Sequence, residues 1–286
     1  MNLHRRRLLT ASAALAGLAG LGVVACAAPQ GPPASRRIFD AHFHIIDHAY
    51  SIVPNQGYTP PHFPLADYLA QAQPLGVRAG AAVSGSFHGF DQTYLQALLP
   101  RLGPGWVGVT QVPNDVSDAE ITRLTKLGVR ALRFNMFRGR IDSVDDLVAL
   151  ATRAHAVGGW HAEIYADAAA LAPHAARLAK LPQIAVDHLG MSEASLPALL
   201  DLVAAGAKVK ATGFGRVKMD VPRALERIAA RNPAALVFGT DIPSTRAERP
   251  FQASDIALIE RVLGPQLAAQ VLWDNAIKLY RVTDVT

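Results

Sequence analysis

The chain has 286 residues, of which 50% are hydrophobic and 18% are charged, so it holds enough apolar material for a large core. This composition excludes an intrinsically disordered chain, and the length suits one α/β barrel of about 250 residues or two smaller domains. The single cysteine, Cys26, excludes an internal disulfide and a cysteine-based zinc cluster.

Residues 1–25 are typical of an export signal. Adjacent arginines at positions 5–7 precede an uncharged run rich in alanine, glycine and leucine, which favours the twin-arginine route. The tetrapeptide 23–26 resembles a lipobox, so cleavage before Cys26 would leave a lipidated N-terminus and a linker over residues 26–37. We predict an exported, periplasmic lipoprotein that is anchored to the membrane only by this lipid. Cleavage near Ala27 without lipidation, and an uncleaved transmembrane helix, are the alternatives.

Charge in the remaining chain is nearly balanced. Removal of residues 1–25 takes away three arginines and no acidic residue from a total of 28 basic and 23 acidic residues. No basic run, no basic stretch interleaved with aromatic residues and no phosphate-binding glycine loop is present in the sequence. We therefore expect no nucleic-acid partner.

From Ile38 onward, short apolar runs alternate with longer segments of helical period, without a linker between them. This alternation predicts a βα repeat. The predicted strands are Ile38–His42, Ala79–Ser84, Trp106–Gln111, Val129–Asn135, Trp160–Tyr165, Gln183–His188, Lys208–Gly213 and Leu236–Asp241. Eight such units predict a single-domain (β/α)8 TIM barrel over residues 38–286, with a doubly wound open sheet as the alternative.

Helix boundary signals support the repeat. Ser117 and Glu120 form a capping-box pattern at the start of one predicted helix, and Gly128 ends it. Gly159 and Gly206 end two further predicted helices in the same way. The prolines of the first loop, residues 44–64, indicate a long connection that forms a lid or wall over a pocket.

Polar side chains collect at the predicted carboxyl ends of strands one, six and eight. His42 and His44 are two residues apart, so in an extended chain both imidazoles project from one face into the barrel mouth. The sixth strand ends in Asp187 and His188, and the eighth ends in Asp241. Because active sites of this fold lie at the carboxyl ends of the strands, the three histidines and Asp241 are the predicted catalytic residues.

Together with further motifs, these four residues resemble the amidohydrolase-related family of the amidohydrolase superfamily, in particular the branch that includes 2-pyrone-4,6-dicarboxylate lactonase. The resemblance spans roughly residues 38–280. The other matching motifs are Tyr58-Thr59-Pro60, Ser86-Phe87-His88-Gly89, Arg133-Phe134-Asn135, Tyr165, Thr212-Gly213-Phe214-Gly215-Arg216, Asp274-Asn275 and Leu279-Tyr280. Gly85 departs from the branch, which usually has proline at this position.

The resemblance implies a hydrolase that opens a lactone or pyrone ring, with a carboxylate-bearing small molecule as substrate. Asp241 would take a proton from water, which attacks the ring carbonyl while the three histidines stabilise the oxyanion. The implied substrate contacts are Tyr58, Ser86, His88, Arg133, Tyr165 and Arg216, with either Arg138 or Arg140 as a further contact. Arginine suits this task because its planar guanidinium pairs with a carboxylate through two hydrogen bonds. Arg133 also stands in an otherwise apolar strand, so its charge needs a partner.

Metal content separates two forms of such a site. Asn135 and Tyr165 stand where binuclear members of the superfamily carry metal ligands, which disfavours a binuclear centre. One zinc ion with an open position for water would suit the residues predicted as catalytic, which are His42, His44, His188 and Asp241. The lactonase branch works without metal, so we predict that no cofactor is required and keep one divalent metal, zinc, as the alternative.

Two other functions stay open at this stage. A sugar-acid lactone isomerase or decarboxylase would use the same barrel, and a solute-binding lipoprotein would use the pocket without catalysis. A base beside an oxyanion site argues against simple binding, because binding alone needs no proton acceptor. His161 opens the fifth predicted strand, at the opposite end of the barrel, and is interpreted as structural.

Overall fold

The computed structural model describes residues 36–138 and 143–283. The predicted signal, the lipidation site Cys26 and Arg140 lie outside these residues. In the described part, the strands are β1 Ile38–Phe43, β2 Val77–Val83, β3 Trp106–Thr110, β4 Val129–Asn135, β5 His161–Tyr165, β6 Ile184–Val186, β7 Lys208–Ala211 and β8 Leu236–Phe238. They form one parallel sheet in the order β1 to β8 and alternate with helices, which confirms the predicted (β/α)8 barrel.

The helices surround this sheet. They are α1 Leu65–Ala72, α2 Thr93–Leu102, α3 Asp118–Leu127, α4 Val144–Gly158, α5 Ala175–Leu178, α6 Leu196–Ala204, α7 Val221–Arg231, α8 Ala253–Ala269 and α9 Asn275–Tyr280. At the start of α3, the Ser117 hydroxyl accepts a hydrogen bond from the Glu120 N–H at 3.1 Å, as the capping pattern predicts. Among the described residues, no helix is long and apolar enough to cross a membrane.

The closure of β8 against β1 brings the predicted catalytic residues together. The Asp241 N–H donates to the His42 carbonyl at 2.7 Å, and the His44 N–H donates to the Ile242 carbonyl at 2.8 Å. Gly239 permits this close approach, because a Cβ there would lie 2.7 Å from the His42 backbone nitrogen. The side chain of Asp241 therefore lies beside both histidines of β1.

The sixth and eighth strands have half of their predicted length in the structure, and the reason lies in the site. β6 ends at Val186 and β8 ends at Phe238, before His188 and Asp241. Both of these residues have left-handed backbone conformations, with φ of 51° and 61°, which strand pairing does not allow. Non-glycine residues in this region are strained and cluster at functional sites. Both residues line the cavity at the barrel mouth.

Candidate active site

A cavity opens at the carboxyl ends of the strands. The predicted site residues that line it are His44, Tyr58, Ser86, Arg133, Arg138, Tyr165, His188, Arg216 and Asp241. His42 lies against His44 and His188, with ring centroids 5.0 and 4.9 Å away, and is fully buried. The first loop contributes Tyr58 to the wall, and an antiparallel bridge between Ile46 and Phe63 holds the two ends of that loop together.

Asp241 is an ionised carboxylate whose two oxygens have different surroundings. Oδ2 accepts two hydrogen bonds from Arg216, one from Nε at 2.8 Å and one from the terminal nitrogen. Oδ1 faces His44 Nε2 at 3.7 Å and His42 Nε2 at 3.9 Å, and no described residue hydrogen-bonds it. Burial alone would raise the pKa of Asp241, but the Arg216 guanidinium and the neighbouring histidines together outweigh burial and hold that pKa well below its usual range.

His44 presents an acceptor to the cavity. Its Nδ1 lies 2.7 Å from the carbonyl oxygen of Val83, and a carbonyl only accepts, so when the ring is neutral its single proton lies on Nδ1. Nε2 then has a free lone pair directed towards Asp241 Oδ1. The hydrogen bond from Nδ1 to Val83 therefore leaves an acceptor at Nε2, whereas the sequence predicted that His44 acts as a donor to the oxyanion.

His188 is held as a neutral imidazole. Burial lowers its pKa to about 3, and its Nδ1 has no hydrogen-bond partner in the described part of the chain. Gly213 packs directly against the ring, since a Cβ at that position would lie 2.6 Å from His188 Nδ1. The Tyr165 ring contacts His188 edge-on, with the centroids 5.0 Å apart.

Arg133 finds the partner that its place in an apolar strand requires. Its Nε donates to Asp187 Oδ2 at 3.1 Å, and a terminal nitrogen donates to the Ser84 carbonyl at 3.1 Å. The guanidinium also lies over the Tyr165 ring, 5.1 Å from its centroid. Arg133 therefore lines the cavity from a fixed position at the wall.

Arg246 was not predicted from the sequence, and it lines the cavity mouth opposite Arg138. Both guanidinium groups approach one amide oxygen, Gln56 Oε1, at 3.5 Å for Arg246 and 3.4 Å for Arg138. Arg246 also stacks over the ring of Tyr58 at 4.3 Å and donates to the Asn55 carbonyl. Two cations therefore converge on a single neutral acceptor at the entrance.

We call Arg133, Arg138, Arg216 and Arg246 the mouth arginines. Among the described residues that line the cavity, these four cations face one carboxylate, Asp241. Both histidines in the lining add no positive charge when neutral. Arg133 is paired with Asp187 and Arg216 with Asp241, so the positive charge of Arg138 and Arg246 makes the entrance electropositive and suits an anionic ligand.

His88 does not reach the cavity. Its Nδ1 accepts from the Gly85 N–H at 3.0 Å, and its Nε2 lies 3.0 Å from the Ile45 carbonyl. The ring stacks on Tyr94 with centroids 3.8 Å apart. Burial lowers the pKa of His88 to about 3. Both ring nitrogens are used within the protein, so His88 braces the loop instead of contacting substrate.

A buried charge network beneath the cavity also escaped prediction from the sequence. Lys210 of β7 contacts Glu163 of β5 and lies 3.8 Å from Asp187 Oδ1, all with fully buried side chains. Burial would raise the pKa of Glu163, but the Lys210 charge and His161 together hold it below its ordinary value. His161, predicted as structural, hydrogen-bonds Glu163 at 3.1 Å. Lys210 and Glu163, like Arg133, are charged residues in buried strands, so the sequence also indicates that each needs a partner of opposite charge.

One group of side chains at the cavity floor has the composition of a metal site. His42, His188 and Asp241 each offer a ligand atom, and these atoms all lie within 4.8 Å of one another. Orphaned buried atoms on all three, His42 Nε2, His188 Nδ1 and Asp241 Oδ1, suit such a site. The surrounding charge does not, because Arg216 binds Asp241 and the Lys210 ammonium lies 3.4 Å from His42 Nδ1.

The fold and the site define a TIM-barrel protein with histidine and aspartate at the carboxyl ends of its strands. The chain belongs to the amidohydrolase family, whose profile matches residues 39–282. This confirms the predicted family and the prediction that the chain is a hydrolase of that family.

Three relatives add detail. The 2-pyrone-4,6-dicarboxylate hydrolase of Comamonas testosteroni is 26% identical over 276 residues, which cover 84% of this chain and 89% of the relative. The 4-sulfomuconolactone hydrolase of Rhizobium radiobacter is 27% identical over 121 residues, 40% of each chain. A solved structure from Pseudomonas putida, provisionally described as a 2-pyrone-4,6-dicarboxylic acid hydrolase, is 25% identical with a TM-score of 0.75, and the match covers 86% of this chain and 98% of that one.

Proposed function

We propose that the protein hydrolyses a lactone or pyrone ring that carries two carboxylate groups. The observation that supports this most is the cavity itself, in which the mouth arginines surround a floor of histidines and one carboxylate. Both curated relatives are named as hydrolases of anionic lactones, which favours ring opening over isomerisation, decarboxylation or simple binding.

Two separate anion subsites follow from the positions of the arginines. Arg216 reaches the floor beside Asp241, whereas Arg138 and Arg246 meet at the entrance over Gln56. A substrate carboxylate at the entrance would replace the weak contacts to Gln56 with charge-assisted hydrogen bonds from two guanidinium groups. A second carboxylate would lie deeper, against Arg216, so the ring between them is placed over the floor.

The proposed reaction uses Asp241 as the base. Water donates one hydrogen bond to Asp241 Oδ1 and its oxygen attacks the ring carbonyl carbon, while a proton passes to the carboxylate. His188, which lines the cavity, and His42, which packs against it, stabilise the oxyanion that forms on the carbonyl oxygen. The ring C–O bond then breaks, and Asp241 returns the proton to the leaving oxygen. The acceptor Nε2 of His44 takes the second hydrogen bond of the attacking water.

We propose that this reaction requires no metal. The support is electrostatic: a dication held by His42, His188 and Asp241 would lie close to the cations of Arg216 and Lys210. Donated hydrogen bonds and the mouth arginines supply the positive potential that a metal would otherwise provide.

We also propose that the chain is exported and lipidated at Cys26, on the basis of the arginines at 5–7 and the lipobox-like residues 23–26. Labelling with radioactive palmitate is expected to mark the wild-type protein and not Cys26→Ala. An unlabelled, freely released wild-type protein would contradict lipidation and leave export in place.

A substrate panel tests the proposed activity. Purified protein is assayed with 2-pyrone-4,6-dicarboxylate, a pyrone with one carboxylate and a neutral lactone, with loss of pyrone absorbance or product analysis as the signal. We expect kcat/KM to fall with each carboxylate removed. Arg246→Gln should raise KM for the dicarboxylate by about tenfold, the effect of losing one charge-assisted hydrogen bond. Arg261→Gln, the same change at an exposed arginine of α8, is the control. Equal turnover of charged and neutral lactones would reject the dicarboxylate assignment.

A further inference from the structure

Lys210 is a fully buried lysine beneath the cavity floor, and the proposed reaction assigns it no role. Its ammonium contacts Glu163, lies 3.8 Å from Asp187 Oδ1 and lies 3.4 Å from Nδ1 of His42. Buried cations need anionic partners, and the two carboxylates supply them. The approach to an imidazole nitrogen is a separate feature that charge pairing does not require.

This approach determines which nitrogen of His42 carries a proton. An ammonium has three N–H donors and no lone pair, so it makes a favourable contact only with a nitrogen that is unprotonated. The neutral ring of His42, which is fully buried, holds a single proton on one of its two nitrogens. With Nδ1 accepting from Lys210, that proton lies on Nε2.

We propose that Lys210 is a positioning residue that fixes His42 as its Nε2–H tautomer. His42 thereby becomes a hydrogen-bond donor towards the cavity. Nε2 is buried, faces Asp241 Oδ1 at 3.9 Å, and has no hydrogen-bond partner among the described residues. The competing contact is Asp187 Oδ1, which lies 3.6 Å from His42 Nδ1 and would favour a proton there. The ammonium is closer to Nδ1 than this carboxylate is, and it also faces the same Oδ1.

The two histidines of β1 are thereby given opposite tasks. His42 Nδ1 faces an ammonium, so its Nε2 donates; His44 Nδ1 faces the Val83 carbonyl, so its Nε2 accepts. In the proposed reaction, His42 donates to the developing oxyanion, while His44 and Asp241 accept from the attacking water. This catalytic part rests on the proposed function, whereas the tautomer does not. A protonated Nε2 also has no lone pair to offer a metal ion.

¹⁵N NMR of the full chain, labelled with ¹⁵N at its histidine side chains, measures the tautomer of His42 directly. The His42 signals are identified as those lost in His42→Asn. In the wild type we expect a protonated Nε2 and an unprotonated Nδ1. In Lys210→Met/Glu163→Gln, which removes both charges of the buried pair, the proton should move to Nδ1 and face Asp187. The matched control Glu163→Gln keeps the ammonium at Nδ1 and should keep the wild-type tautomer.

Kinetics tests the consequence for turnover. Loss of one oxyanion donor lowers kcat by about 10² to 10³-fold, so the double variant should show a fall of that order with KM little changed. Glu163→Gln should retain most of its turnover. A wild-type spectrum with Nδ1 of His42 protonated would overturn the inference, and so would a double variant with an unchanged tautomer. The wild-type spectrum tests the inference even if the double variant does not fold. A wild type with the expected tautomer but no lactone turnover would reject the proposed function alone.

Discussion

Replacing Asp241 with asparagine should abolish most turnover and also weaken the fold. Asparagine has nearly the same shape but cannot accept a proton at neutral pH, so kcat should fall by about 10² to 10⁴-fold, the usual value of general-base assistance. KM should change little, because the mouth arginines remain. The change also leaves Arg216, whose side chain is 8% exposed, without its anion. Removing one partner of such a buried pair costs about 3–5 kcal/mol.

The two effects can be separated. Thermal unfolding gives the loss of stability, and kcat is measured well below the unfolding midpoint, so that only folded protein is assayed. Asp241→Asn/Arg216→Met removes both charges and should recover part of the stability without recovering turnover. Asp220→Asn, the same change at the exposed N-cap of α7, serves as the control for both measurements. A kcat of Asp241→Asn within about threefold of wild type would refute the base assignment.

Three further outcomes are expected. Dialysis against a chelator should leave kcat unchanged, and activity lost on chelation and restored by zinc would overturn the metal-free proposal. Arg216→Ala should raise KM for carboxylated lactones by about tenfold and change KM for neutral lactones little. The same variant should move the acid limb of the kcat/KM profile to higher pH, because the pKa of Asp241 is no longer held down. The free energy of unfolding should fall as pH drops from 6.5 towards about 3, because the unfolded chain gains a proton on His88 that the folded one excludes. In His88→Gln this pH slope should be smaller by up to about 1.4 kcal/mol per pH unit, and an unchanged slope would contradict the assignment to His88.

The fold was predictable because its signals are local and periodic. Each strand is a short apolar run and each helix has a stop signal such as Gly128, whose φ of 115° suits only glycine. The barrel rule then placed His44, His188 and Asp241 at one rim without knowledge of any distance. Strand ends were less predictable, since the left-handed turns at His188 and Asp241 depend on contacts across the barrel.

Side-chain pairing across the barrel was the part that the sequence could not supply. The position of Arg216 after the seventh strand places it near the rim. Whether its partner is a substrate carboxylate or Asp241 depends on the geometry of two different strands. His88 shows the same limit within one loop. The short helical turn Ser86–His88 rotates its ring away from the cavity and onto Tyr94, although Ser86, two residues earlier, lines the wall.

The pairing of Arg216 with Asp241 resolves a conflict that the proposed substrate creates. The proposed base is an anion, yet an anionic substrate is repelled by a carboxylate at the floor of the cavity. Arg216 neutralises Asp241 on the Oδ2 side and leaves Oδ1 free to face the attacking water. The same contact makes Asp241 a weaker base, because it lowers the pKa of that carboxyl. A substrate carboxylate that draws Arg216 towards itself would raise this pKa, so the correct substrate strengthens the base that acts on it.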